Sequence, residues 1–126
     1  MPELSLKELF DDYKYLVENT ETLKAIDLFY AEKIVHLENS SEPLVGRKFL
    51  LKTEEENKKD LKNQTFKINN VVLDEATGKV WGEMIMKFQY KDGPESVLKE
   101  AFYQEWENGK IKLIKFYYYG IEELEE

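Results

Sequence analysis

The sequence predicts an α+β domain in which three N-terminal helices pack on a strongly curved antiparallel sheet. In the first half of the 126-residue chain, apolar residues recur at helical spacing after a capping signal at Ser5. After Asn63, β-branched and aromatic residues are divided by turn dipeptides, a pattern typical of consecutive strands and hairpins. The length fits a single domain over residues 1–126, and only the acidic segment 120–126 is expected to fray.

The first helix is predicted from its N-terminus. Ser5 followed by Glu8 forms a capping box, and Leu4 and Leu9 occupy the flanking apolar positions that fix how the chain enters the helix. Apolar residues then recur at spacings of three and four, at Leu6, Leu9, Phe10, Tyr13 and Val17. This stripe is expected to face a core, with the charged residues between its members in solvent.

Two more helices and a short strand are predicted before the sheet begins. Asn19, Thr20 and Thr22 can cap and restart the chain. The second helix is expected to be more buried than the first, and its apolar residues are Leu23, Ile26, Leu28, Phe29 and Tyr30. Residues 33–38 should form a strand and residues 39–43 a loop. A charged third helix over 47–61 has a thin apolar face made of Phe49, Leu50 and Leu61.

Four long strands are predicted at residues 64–75, 79–90, 96–107 and 110–119. Turn signals at Thr77-Gly78, Asp92-Gly93 and Asn108-Gly109 separate them. Each strand exceeds the usual length of about 5 to 6 residues, so the sheet must twist and curl.

The Asn108-Gly109 turn predicts how the last two strands pair. On one face the expected opposite residues are Trp106 and Ile111, Gln104 and Leu113, Phe102 and Lys115, and Glu100 and Tyr117. Hydrophobic matching extends this face to the preceding strand through the pairs Met84–Phe102 and Val80–Trp106.

The opposite face of the predicted sheet is also apolar. Its expected members are Trp81, Ile85, Ala101, Tyr103, Ile114, Phe116 and Tyr118. Two apolar faces cannot both meet water. We therefore expect the helices to cover the first face and a second copy of the protein to cover the other, giving a homodimer.

The net charge of the chain limits the classes of partner that are expected. The formal net charge is -8, so the average field repels nucleic-acid backbones and anionic lipid headgroups, and neither is an expected partner. With no cysteine and one histidine, no metal site or cofactor is expected. The N-terminus lacks the features of a secretion signal, and no run approaches the ~18 apolar residues of a membrane span, so a cytoplasmic location is expected.

Three stretches of the sequence resemble the nuclear-transport-factor-2-like superfamily, which includes ketosteroid isomerase and the SnoaL-like polyketide cyclases. They are residues 28–35 (LFYAEKIV), Glu42-Pro43 followed by Gly46, and Asn108-Gly109-Lys110-Ile111 through Tyr117. The resemblance implies a conical fold with an open pocket between helices and sheet, often dimeric through the outer sheet face. Members of this superfamily range from isomerases to scaffolds without activity, so the fold alone does not predict which reaction, if any, a member catalyses.

The resemblance also implies where catalytic carboxylates would lie. The general base of ketosteroid isomerase falls on the segment similar to residues 35–38, with Leu37 the best-matched position. Its second acidic group falls where this chain has Phe102 and Gln104, and the aspartate of some cyclases and hydrolases falls at Tyr119. The carboxylate pairs typical of these enzymes are therefore missing from the matched positions.

Two candidate catalytic residues remain, His36 and Glu100. His36 is the only histidine and could shuttle protons near neutral pH, or it could be a hydrogen-bonded structural residue. Glu100 is expected among apolar side chains, which would raise its pKa, or at the rim beside Lys115 as a solvated ion pair.

The leading hypothesis is a protein that binds a small apolar or amphipathic molecule. Its predicted pocket residues are Tyr30, His36, Met84, Phe102, Gln104, Trp106, Tyr117 and Tyr119. The alternatives are an isomerase- or cyclase-like enzyme, with His36 or Glu100 moving a proton and Tyr117 or Tyr119 stabilising an oxyanion, and an interaction module with a filled cavity.

Overall fold

The computed structural model describes residues 4–123 and has the predicted α+β fold. The helices are α1 (Leu6–Glu18), α2 (Thr22–Phe29) and α3 (Arg47–Lys59). The strands are β1 (Tyr30–Glu38), β2 (Leu44–Val45), β3 (Leu61–Asp74), β4 (Lys79–Tyr90), β5 (Glu95–Glu107) and β6 (Lys110–Glu123). The helices cover one face of the sheet, and the core lies between them. No helix in this part of the chain is long and apolar enough to cross a membrane.

Helix α1 begins as predicted. The Ser5 side chain accepts from the backbone of Glu8, and the Glu8 side chain accepts from the backbone of Ser5, which completes the capping box. Two more backbone N–H groups of the first turn, those of Leu6 and Lys7, donate to the Glu75 carboxylate at 3.0 and 3.1 Å. Glu75 follows β3, so this contact ties the start of α1 to the β3–β4 turn.

The six strands form one sheet in the order β2-β1-β6-β5-β4-β3. Every neighbouring pair is antiparallel except β1 and β6, which run parallel with His36 opposite Ile114 and Glu38 opposite Phe116. This parallel pair was not predicted. It places the one histidine beside the last strand on the face that the helices cover.

The pairing of β4 with β5 differs from the predicted register by two residues. Met84 lies opposite Glu100 and Val80 opposite Gln104, rather than opposite Phe102 and Trp106. A shift of two keeps every side chain on its predicted face, because side chains alternate with a period of two. The shift brings Glu100 level with Met84.

The pairing of β5 with β6 contains two irregularities that overturn part of the prediction. Trp106 lies opposite Ile111 as predicted, but Gln104 then lies opposite Ile114, because β6 contains one extra residue at this point. A second shift follows between Leu98 and Glu100. Such bulges bend the strand and reverse the side to which the next residues point.

The first bulge exchanges the two faces of β6. Ile114, predicted on the outer face, is fully buried in the core, and Phe116 packs against the core. Tyr117 and Tyr119, predicted inward, are exposed. The outer face of the sheet therefore keeps Trp81, Ile85, Ala101 and Tyr103 but lacks the three predicted residues of β6.

Several smaller expectations are also corrected. Leu28 and Phe49, predicted in the core, are exposed, and Leu61 begins β3 instead of ending α3. Tyr30 is buried but starts β1. Residues 120–123, predicted to fray, continue β6 and pair with β5, while residues 124–126 of the same prediction lie outside the described residues.

Candidate ligand-binding pocket

A cavity of about 390 Å³ lies between the helices and the inner face of the sheet. Its apolar wall consists of Val17, Ala25, Ile26, Leu44, Leu50, Phe66, Met84, Met86, Leu98 and Phe116. Its polar lining consists of Tyr13, Thr22, Tyr30, His36, Glu38, Thr53, Glu54, Asn57, Gln64 and Glu100. All three helices and all six strands contribute side chains to this lining, so the cavity depends on the whole fold.

Glu100 is the most deeply buried carboxylate of the pocket. Its position on β5 directs it inward, and only 8% of the residue is exposed. Burial, together with the negative charge of Glu38, raises its pKa to about 7 from an ordinary 4.5. The expected rim position beside Lys115 is wrong, because Lys115 lies opposite Tyr103 on β5 with its amine 5.8 Å from the centre of that ring.

His36 and Glu38 lie beside each other on the pocket side of β1. The distance from His36 Nε2 to Glu38 Oε2 is 3.7 Å, and 15% of the histidine side chain is exposed. The interaction with His36 lowers the pKa of Glu38, against the opposing effect of burial, and hydrogen bonding by Tyr118 lowers it further. The other ring nitrogen of His36, Nδ1, is buried without a partner among the described residues.

Tyr118 is brought to this end of the pocket by the bulges in β6. The side chain of Asn39 pairs with its backbone, accepting from the amide at 2.9 Å and donating to the carbonyl at 3.0 Å. Burial and the charges of Glu38 and Glu100 raise the pKa of Tyr118, so its hydroxyl remains a donor at neutral pH.

Two buried tyrosines, Tyr13 of α1 and Tyr30 of β1, face the other side of the cavity. Burial raises the pKa of both hydroxyls well above the ordinary range, and the nearby carboxylates Glu54 and Glu100 raise it further. Both tyrosines are therefore neutral donors. Glu54 itself accepts a hydrogen bond from the Thr22 hydroxyl, which joins α3 to α2 at this side of the pocket.

Four of the predicted site residues line the cavity: Tyr30, His36, Met84 and Glu100. Phe102, Gln104 and Trp106 point inward as predicted but lie in the packed interior outside the cavity lining, where Trp106 Nε1 donates to Gln104 Oε1 at 2.9 Å. Tyr117 and Tyr119 are wrong as pocket residues, because the bulge turns them to the outside.

The sequence argument missed the contribution of α1 and α3. Tyr13 was predicted only as a core residue, and Thr53, Glu54 and Asn57 only as part of a charged helix. The three residues follow Leu50 by three, four and seven positions, and this spacing is the sequence signal that they share one helix face with it.

Within residues 4–123, no group of three or more histidine, aspartate and glutamate side chains is arranged to hold a metal ion.

The fold resembles that of solved proteins at low sequence identity. A Mesorhizobium loti protein classed as a SnoaL-like polyketide cyclase aligns with a TM-score of 0.77 at 16% identity, covering 91% of this chain and 100% of that one. An LEH-like epoxide hydrolase of Mycobacterium tuberculosis aligns with a TM-score of 0.75 at 13% identity, covering 90% of this chain and 82% of that one.

A third structure carries no assigned activity. It is a nuclear-transport-factor-2-like protein of unknown function from Burkholderia pseudomallei, with a TM-score of 0.76 at 7% identity over 93% of this chain and 92% of that one. No protein-family profile matches the sequence, and no curated protein matches it significantly. The predicted resemblance is thus confirmed for the fold. Because solved proteins with this fold are described with different activities, any reaction of this protein has to be inferred from the residues of its own pocket.

Proposed function

We propose that this protein binds a small apolar or amphipathic molecule in the cavity between its helices and sheet. The observation that supports the proposal is the cavity itself, about 390 Å³ with a mainly aliphatic and aromatic wall and a few convergent polar groups. Small-molecule sites commonly have this size and composition. The polar groups that face the ligand space include Glu100, the His36–Glu38 pair and the buried tyrosines Tyr13 and Tyr30. These groups would orient a ligand through its polar end.

The cavity does not favour an interaction module with a filled interior. That hypothesis requires Met84, Phe102 and Trp106 to close the space between helices and sheet. Phe102 and Trp106 do pack in the core, but Met84 forms part of the wall of an open cavity. Side chains that border a cavity of this size make fewer packing contacts than those of a filled core, so a protein that needed only a stable surface would gain by filling it.

Blocking the mouth of the cavity tests the proposal. Thr53 is an exposed residue of α3 that lines the cavity, so Thr53→Trp should obstruct entry without disturbing buried packing. Lys52→Trp is the matched control, because Lys52 is exposed on the same helix and does not line the cavity. The probe is the neutral dye 6-propionyl-2-(dimethylamino)naphthalene, whose emission changes in an apolar site.

We expect saturable dye binding by the wild type and by Lys52→Trp, and binding at least about tenfold weaker by Thr53→Trp. Equal binding by all three proteins would place the dye elsewhere and contradict the pocket as the site. No binding by the wild type would count against an accessible pocket.

Proton transfer is the second candidate function, and the position of Glu100 favours it. A carboxyl group with a pKa of about 7 beside an apolar cavity can both accept and donate a proton at neutral pH. Tyr13 and Tyr30, which remain neutral, could donate to a developing oxyanion. His36 is less suited to accept a proton from a ligand, because Nε2 faces Glu38 and Nδ1 is buried.

The test of proton transfer is hydrogen–deuterium exchange next to a carbonyl group, with 2-tetralone as the probe. If Glu100 transfers the proton, Glu100→Gln should abolish exchange above the buffer rate, whereas His36→Gln should retain it within about tenfold. Wild-type exchange no faster than buffer would reject the enzyme hypothesis for this probe and leave binding as the function.

A homodimer remains part of the proposal, through the outer face of the sheet. Val72, Trp81 and Tyr117 are large exposed residues on strands of this sheet, and the Trp81 ring packs at a tilt of 42° against Tyr103, with ring centroids 4.4 Å apart. Contact between two copies through this face would remove these residues from water.

A cytoplasmic location likewise remains a prediction from the sequence, and cell fractionation tests it.

A further inference from the structure

Glu100 presents a buried carboxylate to the cavity without a protein partner. No hydrogen bond or ion pair to its side chain occurs within residues 4–123, and no hydrogen bond offsets the effect of burial on its pKa. Its cross-strand neighbours are the apolar Met84 on β4 and Tyr118 on β6, and the Tyr118 hydroxyl pairs with Glu38 rather than with Glu100. A buried carboxylate is costly in its charged form unless something compensates the charge, and from the open cavity that can be water, a proton or a cationic group of a ligand.

The rest of the lining makes the cavity negative. Glu38 and Glu54 also line it, while none of the lysines and arginines within residues 4–123 does. The nearby basic side chains are engaged elsewhere: Arg47 donates to the backbone carbonyl of Tyr30 at 3.3 Å, and Lys115 lies over the ring of Tyr103. An anionic ligand would therefore enter a site with three carboxylates and no fixed cation.

The two other carboxylates already have partners. Glu38 lies beside His36, and Glu54 accepts from the Thr22 hydroxyl. Among residues 4–123, Glu100 is thus the one of the three without a protein partner, and it is also the most deeply buried. Aromatic rings of Tyr13, Tyr30, Phe66 and Phe116 form part of the same lining, and the faces of such rings attract cations.

We propose that the ligand of this pocket is an amphipathic amine, whose ammonium group pairs with Glu100 and whose apolar body fills the cavity between α2, α3 and the sheet. The inference rests on the proposed binding function and specifies its ligand class. The ion pair replaces the proton that Glu100 otherwise holds, because a cation supplies the charge compensation that the protein does not.

Three probes that differ only in the polar end test the inference: 4-phenylbutylamine, 4-phenylbutanol and 4-phenylbutyrate. Titration calorimetry at pH 8 compares the wild type with Glu100→Gln, which keeps the shape of the side chain and removes its charge. The matched control is Glu95→Gln, because Glu95 is exposed on the same strand and its replacement makes the same change in net charge.

We expect the amine to bind the wild type at least about tenfold more tightly than the alcohol, and the carboxylate to bind most weakly. Glu100→Gln should remove the preference for the amine and leave the affinity for the alcohol within about threefold. Glu95→Gln should behave as the wild type, since a loss of affinity there would mean that the overall negative charge, not Glu100, attracts the amine.

The pH dependence gives an independent readout. The titratable groups around Glu100 are Tyr30, His36 and Glu38 from β1, Glu54 from α3, Tyr13 from α1 and Tyr118 from β6. Because Glu100 must lose its proton to pair with an ammonium group, amine affinity should fall by up to roughly 30-fold from pH 8 to pH 5.5 for a pKa of about 7. Binding at pH 6 should release a proton, and in Glu100→Gln the dependence should largely disappear.

The outcomes separate this inference from the proposed function. If the alcohol binds as tightly as the amine, or if Glu100→Gln leaves amine affinity or its pH dependence unchanged, the amine inference is wrong while small-molecule binding stands. If none of the three probes binds at millimolar concentration, while the neutral dye binds in the pocket, the inference is also wrong. If neither probes nor dye bind, both proposals fail.

Discussion

Replacing Glu100 by glutamine should stabilise the ligand-free protein above neutral pH. The carboxyl group has a pKa of about 7 in the folded protein, against an ordinary 4.5. Below pH 4.5 the group is protonated in both folded and unfolded chains, so the substitution should have little effect. Between pH 4.5 and 7 the unfolded chain loses its proton first, which destabilises the wild type relative to Glu100→Gln, and above pH 7 the full difference is present.

The expected size follows from burial. The gap between 4.5 and about 7 corresponds to a free-energy difference of about 3 kcal/mol, and the 8% exposure of Glu100 leaves little solvent to reduce it. Burial contributes more to this gap than the charge of Glu38 does. Glu38→Gln should therefore recover only the smaller part of the stabilisation.

Urea denaturation across pH 4.5 to 8.5 measures the effect. For a chain of this size, a difference of about 3 kcal/mol should move the midpoint upward by roughly 1 to 2 M urea at pH 8, and by almost nothing at pH 4.5. Glu95→Gln, on the exposed part of the same strand, is the control for net charge. A midpoint difference that does not change with pH, or a less stable Glu100→Gln at pH 8, would refute the assigned burial of this carboxylate.

Three further changes test the core, a turn and the outer face. Trp106→Ala should cost on the order of 3 to 5 kcal/mol in chemical denaturation, because the indole is buried in the core, and a loss below ~1 kcal/mol would contradict that position. Gly78→Ala should cost at least ~1 kcal/mol, since Gly78 has a φ of +73° and an added Cβ would collide with the Trp106 carbonyl oxygen; unchanged thermal stability would be inconsistent with this turn. Trp81→Glu should convert the proposed dimer to a folded monomer in light scattering, whereas Lys52→Glu on α3 should not, and a monomeric wild type at micromolar concentration would remove the dimer proposal.

Much of the candidate site could be predicted from β5 alone. Strict alternation along this strand placed Glu100, Phe102, Gln104 and Trp106 on one face, and the structure directs all four inward. The sequence could not tell which of them border the cavity. Glu100 does so and Phe102 does not, because the register with β4, set by a loop over residues 91–94, decides which side chains lie beneath the helices.

The tyrosines of β6 are an example in which alternation within one strand predicts the wrong face. Alternation assigns Tyr117 and Tyr119 to the inside, and the assignment fails because one extra residue enters β6 between the partners of Trp106 and Glu105. The bulge accompanies pairing on both sides of β6, with β5 and with β1. A period of two within one strand contains no information about an irregularity set by its neighbours.

The sequence by itself determined the order of the three helices and the five longer strands, though not the two-residue β2, together with the capped start of α1, the three turns and the inward face of β5. These features depend on residues close together in the chain, through capping, alternation and turn preference. Only the tertiary structure decided the parallel contact of β1 with β6, the inward position of Phe116 and the meeting of Glu38 with Glu100 in one pocket. These features join strands more than 60 residues apart, and their geometry depends on how the whole sheet curves around its core.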